Sequence, residues 1–288
     1  MLRSMYSGIN AMKSNQTKMD VVGNNVANVG TTAYKKTTTR FADALYQSAI
    51  YPSAPSGVTG GINPGQVGIG VKVSGILKNM VQGSLQTTGR DTDLAIDGDG
   101  FFTVQTGPGQ VGSTRDGSFS LDMDGNMVTS QGYKVLSTTP DANGGFEPIK
   151  IPKEMKNANG EDQKVVSFNI ANDGSISYLL ADGTKMPQKD ANGQVIAGTQ
   201  QTLQISVFQN DEGLEQLGGN VYGETSNSGT PIQNPVFGKI TQGAIEMSNV
   251  DLSEEFTEMI VTTRAFQAAS KVITTSDELL QEIVNLKR

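Results

Sequence analysis

The first 28 residues carry apolar side chains at alternating steps of three and four residues. This spacing places them along one side of an α-helix, and a narrow stripe of this kind is typical of a seam that faces a partner helix in a coiled coil. Gln16 interrupts the stripe, and residues 23–25 (Gly-Asn-Asn) weaken the helix before Gly30 ends it. The predicted seam residues are Leu2, Met5, Ile9, Met12, Met19 and Val26.

Residues 251–288 predict a second and longer helix. Asp251 followed by Glu254 resembles a capping box in which Asp replaces Ser or Thr. Acidic residues in the first turn, with Lys287 and Arg288 at the end, suit the helix dipole. The apolar row of this helix comprises Leu252, Met259, Phe266, Ile273 and Leu280, and a weaker second row begins at Phe256.

Between the two helices the hydrophobic period changes to two residues, which is typical of strands. The apolar runs are short and alternate with turn signals such as Asp99-Gly100 and Asp182-Gly183, a pattern that predicts an antiparallel β domain. Residues 51–70 are rich in Gly, Pro and Ser and resemble an extended linker. The predicted strands lie at residues 71–73, 94–96, 101–104, 119–121, 165–170, 176–180 and 202–208.

The predicted fold class is α+β, with N- and C-terminal helices paired as a coiled coil around a central antiparallel β-rich domain. Residues 1–30 and 250–288 are expected to form a helical inner domain, residues 31–70 an extended linker, and residues 71–249 a β-rich outer domain. Residues 141–200 are expected to be either a small insertion or an elaboration of the sheet.

The 288-residue chain contains no histidine and no cysteine. Their absence excludes Ser-His-Asp and Cys-His catalysis, zinc sites built from His or Cys, cysteine-ligated iron–sulfur clusters and disulfides. The net charge is -7 and aromatic residues are 6%, so binding to nucleic acid or to an anionic membrane through bulk electrostatics is not expected. No apolar run approaches the ~20 residues that span a bilayer, and the opening segment lacks the unbroken apolar region of a secretory signal peptide.

The two ends of the chain carry opposite charge. Residues 1–40 hold six basic residues and one acidic residue, a net charge of +5, whereas residues 251–288 hold four basic and seven acidic residues, a net charge of -3. Opposite signs favour pairing of the ends, within one chain or between chains. Two terminal helices alone leave much apolar surface uncovered, so the pattern favours burial against neighbouring copies or another partner.

Two acidic clusters are candidates for metal binding or acid–base chemistry. Residues 122–126 resemble the start of a calcium loop, but its sixth and twelfth positions are Met127 and Tyr133 rather than Gly and Glu, which favours a simple hairpin turn. In the second cluster, paired carboxylates could exchange protons, yet Asp-Gly-Asp-Gly after a strand is typical of a turn. That cluster comprises Asp91, Asp93, Asp97 and Asp99.

Five segments stand out beyond the periodic pattern. The chain opens with MLRSMYSGIN and continues with VVGNNVAN at 21–28, and the segment SNVDLSEEF at 248–256 leads into the last helix. The middle of the chain holds DLAIDGDGFF at 93–102 and TRDGSF at 114–119. Taken from the start of the chain to its end, the segments resemble the N-terminal signature, the central β domain and the C-terminal helix of the flagellar rod and hook proteins, the axial family of the bacterial flagellum.

Within this family, the opening segment and the ending EIVNLKR at 282–288 look most like the flagellar hook proteins of Gram-positive bacteria. The segments FADALYQ at 41–47 and GNVYGET at 219–225 look closer to the distal rod protein. The resemblance therefore implies, as the main expectation, a subunit of the hollow, curved hook that joins rod and filament and transmits torque. The alternative is a distal rod subunit of the basal body.

The resemblance also implies a route of assembly and a set of partners. Subunits would be exported unfolded by the type III export apparatus without a cleaved signal peptide, and would polymerise into a helical tube of many copies. The terminal helices would form the inner wall and the β domain the outer layer, in the extracellular hook or the basal body. Other axial proteins of the rod, the hook-filament junction and the hook cap would be neighbours. Neither enzymatic activity, a cofactor, nucleic-acid binding nor membrane insertion is implied.

The family's junction motif falls on Asn24, Asn25, Ala27 and Asn28. We expect these residues to end the first helix and turn the chain outward, because Asn tolerates left-handed backbone angles and bonds locally to the backbone. A plain helix stop without a contact role is the alternative. From the residues alone, two other functions stay open: a cell-surface enzyme or lectin-like module built on the β domain, and a coiled-coil adaptor with a different partner.

Overall fold

A computed structural model of the chain describes residues 2–55, 60–140, 146–156, 162–189, 195–197, 200–232 and 237–286. The chain divides into two compact units. The helical unit comprises Met1–Val29, Lys36–Asn79 and Val250–Arg288, and the β unit comprises Gly30–Lys35 and Met80–Asn249. Helices at both ends and a central antiparallel β-rich region confirm the predicted α+β class.

The two helices occupy the ends of the chain, as the hydrophobic spacing predicts. Helix α1 spans Leu2–Ala27 and helix α2 spans Leu252–Leu286. At the start of α2, the carboxylate of Asp251 accepts hydrogen bonds from the backbone N–H groups of Ser253 (2.7 Å) and Glu254 (3.3 Å). Asp251 is therefore the N-cap, because it satisfies two donors of the first turn that have no partner within the helix.

Four strands complete the helical unit. Strand β1 (Thr37–Asp43) pairs antiparallel with β4 (Val71–Lys78), and β2 (Tyr46–Ile50) pairs antiparallel with β3 (Gly65–Gly68). Three of these strands lie within residues 31–70, where the sequence predicts an extended linker. The difference arises because β1 finds a partner outside that segment and β2 finds one within it, and strand formation depends on the partner more than on local composition.

The β unit is built from short strands, and its described residues include a 3₁₀ turn at Asp211–Gly213. The period of two predicts seven strands in the chain, and a strand is present in each of those segments. The strands of the β unit are β5 (Leu85–Thr87), β6 (Leu94–Asp97), β7 (Phe101–Gly107), β8 (Gln110–Thr114), β9 (Ser120–Leu121), β10 (Met127–Val128), β11 (Lys134–Pro140), β12 (Phe146–Pro148), β13 (Glu154–Lys156), β14 (Asp162–Ile170), β15 (Ile176–Leu180), β16 (Lys185–Met186), β17 (Gln188–Lys189), β18 (Val195–Ala197), β19 (Ile205–Ser206), β20 (Glu215–Gly218), β21 (Val221–Gly223), β22 (Lys239–Gln242) and β23 (Ala244–Glu246).

The largest sheet of the β unit has the strand order β20-β21-β8-β7-β11-β10-β9, with β12 beside β11 and β19 beside β7. A second sheet has the order β13-β14-β15-β16, and β17 with β18, β22 with β6 and β23 with β5 form separate pairs. The hairpin predicted around residues 122–126 is confirmed, because Leu121 of β9 pairs with Met127 of β10. Gly125 permits this tight turn with a φ of 81°, a left-handed angle that costs glycine little.

The hydrophobic core lies in the β unit. The rings of Phe102 and Phe119 meet edge to face, with their centroids 5.2 Å apart, a favourable geometry for aromatic pairs. Side chains of β14, β15 and β16 belong to the same core as those of β6 and β7, so the second sheet extends this core. The core residues are Leu94, Ile96, Phe102, Val104, Phe119, Met127, Val135, Ile149, Ile151, Ile170, Ile176, Tyr178, Leu180, Met186, Leu203, Ile205, Val221 and Ile240.

Candidate functional site

Small and polar side chains form the closest contact between α1 and α2. At Gly8 of α1, an added Cβ atom would lie only 3.0 Å from Cγ1 of Ile273, so a larger residue would require Ile273 to move. Nearer the start of α1, the hydroxyl oxygens of Ser4 and Ser276 are 3.3 Å apart. The buried residues of α2 are Glu255, Thr262, Ala269 and Ser276, and those of α1 include Gly8, Val22, Asn25 and Ser14, of which Ser14 donates a hydrogen bond to Val71 of β4.

The residues predicted to form the seam include Ile273, which meets Gly8 at this contact, and they differ in burial. Gln16, predicted on the seam, is exposed, and so are Leu252 and Phe256 of α2. The side chain of Leu2 lies outside the described part of the chain. The remaining predicted residues are half-buried: Met5, Ile9, Met12, Met19 and Val26 on α1, and Met259, Phe266, Ile273 and Leu280 on α2.

Hydrophobic spacing therefore identifies both helices but does not single out the buried small residues, which lie four positions before the predicted row of α2. The distance between two helix axes depends on the size of the side chains at the contact. A search for apolar residues selects large side chains and passes over the small residues that let the helices approach. The row of α2 that repeats at steps of seven through Thr262, Ala269 and Ser276 is the signal that could have located the contact. The part that the predicted apolar residues play in assembly stays a prediction.

A buried polar network joins the end of α1, the start of β1 and the start of α2. The side-chain amide of Asn25 accepts a hydrogen bond from the backbone N–H of Thr37 (3.1 Å) and donates one to its carbonyl (2.8 Å). The same amide donates to the carboxylate of Glu255 at 3.1 Å. The ammonium group of Lys36 lies 2.8 Å from that carboxylate and 2.9 Å from the carboxylate of Glu254.

One lysine in this network pairs with two carboxylates, of which only that of Glu255 is buried. Asn25 and Glu255 are each only 1% exposed, so their polar groups depend on partners within the chain. Burial alone would lower the pKa of Lys36, but its hydrogen bonds to Glu255 and Glu254 outweigh that effect and raise the pKa above its ordinary value. Because an unpaired buried carboxylate is costly, the network stabilises the arrangement in which the three segments meet.

The other residues of the junction motif lie nearer the surface. Ala27 is the last residue of α1, and the backbone N–H and side-chain amide of Asn28 donate to the carbonyl (3.1 Å) and side-chain oxygen (3.0 Å) of Asn24. These are local bonds of the kind expected for the motif, whose role at the junction stays a prediction. The left-handed backbone expected of these asparagines occurs elsewhere: among the described non-glycine residues, a positive φ is found at Ala33 (55°) and Asn220 (59°).

A second buried ion pair lies in the β unit and was not predicted. Nζ of Lys35 is 2.7 Å from the carboxylate of Glu246, and both side chains are 1% exposed. The same carboxylate accepts a hydrogen bond from the backbone N–H of Gly83 (2.8 Å) and lies 3.6 Å from the guanidinium group of Arg115. Burial lowers the pKa of Lys35 in spite of the neighbouring Glu246. Lys35 and Glu246 are 211 positions apart, so no local pattern signals the pair.

Helix α2 leaves large apolar side chains exposed. Ile260 and Val284 are 62% and 63% exposed, and residues 281–286 are exposed throughout. Soluble monomers rarely expose large contiguous apolar surfaces, so this helix has the composition of a surface that contacts other chains. The exposed large apolar residues of α2 are Leu252, Phe256, Ile260, Val261, Val272, Leu279, Ile283, Val284 and Leu286.

In the candidate cluster of Asp91, Asp93, Asp97 and Asp99, the carboxylate of Asp93 contacts neighbouring side chains of its own turn. The carboxylate of Asp93 accepts a hydrogen bond from the Thr88 hydroxyl at 2.6 Å and lies 3.7 Å from the guanidinium group of Arg90. Across the described residues, no group of three or more acidic, histidine or cysteine side chains is arranged to hold a metal ion. Within the same residues, neither helix is long and apolar enough to cross a membrane.

Three family models match the chain in order from its start to its end. The model described as flagella basal body rod protein matches residues 5–35, and the model of the flagellar hook protein FlgE/F/G D1 domain matches residues 95–178. The model of the flagellar basal body rod FlgEFG protein C-terminal matches residues 241–286. The first and last matches include most of α1 and α2, and the middle match lies in the β unit.

Similar proteins cover the whole chain. The flagellar basal-body rod protein FlgG of Bacillus subtilis (strain 168) is 45% identical over 293 residues, with 100% of both chains covered. FlgG of Borreliella burgdorferi is 35% identical over 295 residues, again with 100% of both chains covered. The flagellar hook protein FlgE of the same organism is 28% identical over 442 residues, with 100% of both chains covered.

The comparisons agree with the fold on three points. The matched segments at the two ends coincide with helices whose apolar residues are partly uncovered, and the matched middle segment lies in the β unit, which has its own core. The similarity extends over the full length at 45% identity. The chain therefore belongs to the FlgE/F/G family of flagellar rod and hook proteins.

Proposed function

We propose that this chain is a structural subunit of the distal flagellar rod and that its copies polymerise into a helical tube. The observation that carries the proposal is the length of the alignments. The match to FlgG of Bacillus subtilis spans 293 positions for a chain of 288 residues, so the two align with few gaps. The match to FlgE spans 442 positions, of which 154 lie opposite no residue of this chain. This difference supports the rod over the hook, although the sequence segments favoured the hook.

The helical unit supplies a physical reason for polymerisation. Among its described residues, Val22 and Ala269 are the buried hydrophobic residues, at 3% and 8% exposure. A unit with so little buried apolar surface gains little hydrophobic stabilisation within one chain. Contact between copies would cover the exposed apolar residues of α2, and burial of that surface would stabilise the tube.

Charge on the helices supports contact between copies in a defined orientation. Arg3 and Lys13 of α1 are exposed, and so are Asp277, Glu278 and Glu282 near the end of α2. Oppositely charged surfaces favour one mode of approach over others and suppress contacts between like charges. An acidic α2 that met a basic α1 of the next copy would therefore give the tube a head-to-tail order, which is the kind of contact that generates helical polymers.

The role within the flagellum follows from membership of the axial family. The tube would transmit torque, its neighbours would be other axial proteins, and the type III export apparatus would deliver the subunits without a cleaved signal peptide. The family matches are to structural rod and hook proteins, and we assign no catalytic activity to the chain.

Electron microscopy of polymers grown from the purified full-length chain tests the proposal. Short, straight tubes are expected, and curved, flexible tubes would favour the hook. Ile260→Asp places a charge on the exposed face of α2 and is expected to abolish tubes. Val166→Asp is the matched control, because Val166 is an equally exposed apolar residue, 65% against 62%, in the β unit. Normal tubes from Ile260→Asp would contradict assembly through the helices.

A strain that lacks the gene separates rod from hook independently. Without a rod subunit, flagellar growth is expected to stop before any hook forms. Without a hook subunit, isolated basal bodies would carry a complete rod. Micrographs of those basal bodies therefore decide between the two structures. In the same strain, a gene that encodes the Val166→Asp variant is expected to restore flagellar growth, and a gene that encodes the Ile260→Asp variant is not.

A further inference from the structure

The buried row of α2 is nearly uniform and by itself does not define an alignment with α1. Thr262, Ala269 and Ser276 are small, and they follow one another at intervals of seven residues. In a slide of α2 by one such interval, Ala269 would replace Thr262 and Ser276 would replace Ala269, and only at the last position would a larger residue, Ile283, replace Ser276. Knobs of distinct shape, which usually fix the register of packed helices, are therefore absent from this row.

The first position of the row breaks this uniformity. Glu255 is buried, and its carboxylate lies 2.8 Å from Nζ of Lys36 and 3.1 Å from Nδ2 of Asn25. A slide by seven residues would place Thr262 in the position of Glu255. Lys36, of which the side chain is 10% exposed, would then lose this carboxylate, and Glu255 would lose both partners. A buried charge without a partner is far more costly than an exposed one.

We propose that Glu255, held by Lys36 and Asn25, fixes the register of α1 against α2. Single buried polar residues set register in coiled coils at some expense of stability, and here the polar residue is a charged one with two partners from different segments. The amide of Asn25 is itself oriented by its two hydrogen bonds to the backbone of Thr37 and by a third from the Thr37 hydroxyl, and its Nδ2 also donates to Glu255. These three are positioning residues, and the proposal does not depend on whether the polymer is rod or hook.

An exposed ion pair between α1 and α2 provides a matched control for the buried pair of Lys36 and Glu255. Nζ of Lys18 on α1 lies 2.8 Å from the carboxylate of Glu258 on α2, a separation equal to that of the buried pair. The side chains of Lys18 and Glu258 are 22% and 41% exposed, so water can replace either partner. Exposed pairs of this kind contribute little, and removal of this pair should not alter the register.

Introduced disulfides can measure the register directly, because the chain has no cysteine of its own. Ser4→Cys with Ser276→Cys reports the observed register, since the two hydroxyl oxygens are 3.3 Å apart. Ser4→Cys with Ile283→Cys, or with Ala269→Cys, reports a slide of one interval in either direction, a displacement of about 10 Å along a helix. Each pair is placed in the full chain, oxidised at a concentration where sedimentation shows monomers, and scored as an intramolecular crosslink by mass spectrometry.

With the native network, the 4–276 crosslink is expected to dominate. In Lys36→Met/Glu255→Leu, the ratio of shifted to unshifted crosslinks is expected to rise at least about tenfold, which corresponds to loss of one charge-assisted hydrogen bond. Lys36→Arg, which retains the charge, and the control Lys18→Met/Glu258→Leu are expected to keep the native ratio. Far-ultraviolet circular dichroism of each variant records whether the helices are formed.

Two results would overturn the proposal. One is an unchanged ratio in Lys36→Met/Glu255→Leu with helices intact, which would assign the register to the short covalent connection into α2. The other is an equal rise in the Lys18→Met/Glu258→Leu control, which would make ion pairing in general responsible. If the double variant loses its helices, the nearly isosteric Glu255→Gln tests the proposal instead. Removal of the charge alone must still raise the ratio of shifted to unshifted crosslinks, and an unchanged ratio would overturn the proposal.

Discussion

The β unit of this chain has a large apolar core, and the described part of the helical unit does not. The β unit encloses aromatic and aliphatic residues such as Phe102, Phe119 and Leu94, each at most 1% exposed. The helical unit encloses Asn25 and Glu255, and its described large apolar residues other than Val22 remain partly or wholly exposed. A unit of the first kind is stabilised mainly by the hydrophobic effect within one chain. A unit of the second kind relies on specific polar contacts and retains apolar surface for other chains.

Two adjacent lysines show the same contrast. Lys35 belongs to the β unit, where burial lowers its pKa although Glu246 is adjacent. Lys36 belongs to the helical unit, where hydrogen bonds to Glu255 and Glu254 overcome the effect of burial and raise its pKa. Neighbours in sequence can thus have opposite electrostatic environments, because depth of burial and number of acceptors are set by tertiary contacts.

The largest difference between the units is expected for loss of an aromatic side chain. Phe102→Ala should lower the free energy of unfolding of the β unit by about 3–5 kcal/mol, because it leaves a cavity in a packed core. Phe266 of α2 is only half-buried. Phe266→Ala should therefore lower the free energy of unfolding of the free chain by less than about 1.5 kcal/mol, and it should reduce tube formation. Chemical denaturation followed by circular dichroism checks both values, and equal losses would contradict the contrast between the units.

Removal of one acidic partner should distinguish a buried ion pair from an exposed one. Glu246→Gln is expected to destabilise the β unit by about 3 kcal/mol, since Lys35 and Arg115 stay buried without a carboxylate. Glu258→Gln, which removes the partner of Lys18 in the helical unit, should change stability by less than about 1 kcal/mol. Denaturation midpoints at low and high salt measure the two effects, and only the second is expected to depend on salt.

Alkaline pH should destabilise the β unit through two buried tyrosines. Burial raises the pKa of Tyr178 and of Tyr222 to about 12, from the ordinary value of 10.0. Between these values the unfolded chain loses the proton first, so stability is complete below pH 10 and falls as pH rises toward about 12, by at most about 2.7 kcal/mol for each tyrosine. Tyrosinate absorbance and denaturation midpoints test this, and Tyr178→Phe/Tyr222→Phe should remove most of the dependence.

The smallest effect is expected at the start of α2 in the helical unit. Asp251→Ala removes the acceptor for the N–H groups of Ser253 and Glu254 and should cost about 1 kcal/mol of helix stability. Asp251→Asn keeps a side-chain oxygen at the cap and should cost clearly less. Thermal melting of the helical circular dichroism signal compares the two variants, and an equal loss in both would mean that the cap contributes through charge alone.

The sequence determined the parts of this protein that depend on short segments. Periodicity of seven and of two located α1, α2 and the main strands, Asp251 marked a helix start, and ordered motifs identified the axial family. The choice between hook and rod did not follow from those motifs, and the lengths of the alignments with related proteins support the rod better.

Tertiary structure alone decided which side chains meet. Four features depend on contacts between residues that are remote in sequence. They are the small residues at the contact of α1 and α2, the pairing of β1 with β4, the left-handed backbone at Ala33 and the Lys35–Glu246 pair. Hydrophobic periodicity reports how a segment divides into faces, and it carries no information on the distance at which two segments pack. That distance is set by side-chain volume and by the need to pair buried charges, which exist only once the chain has folded.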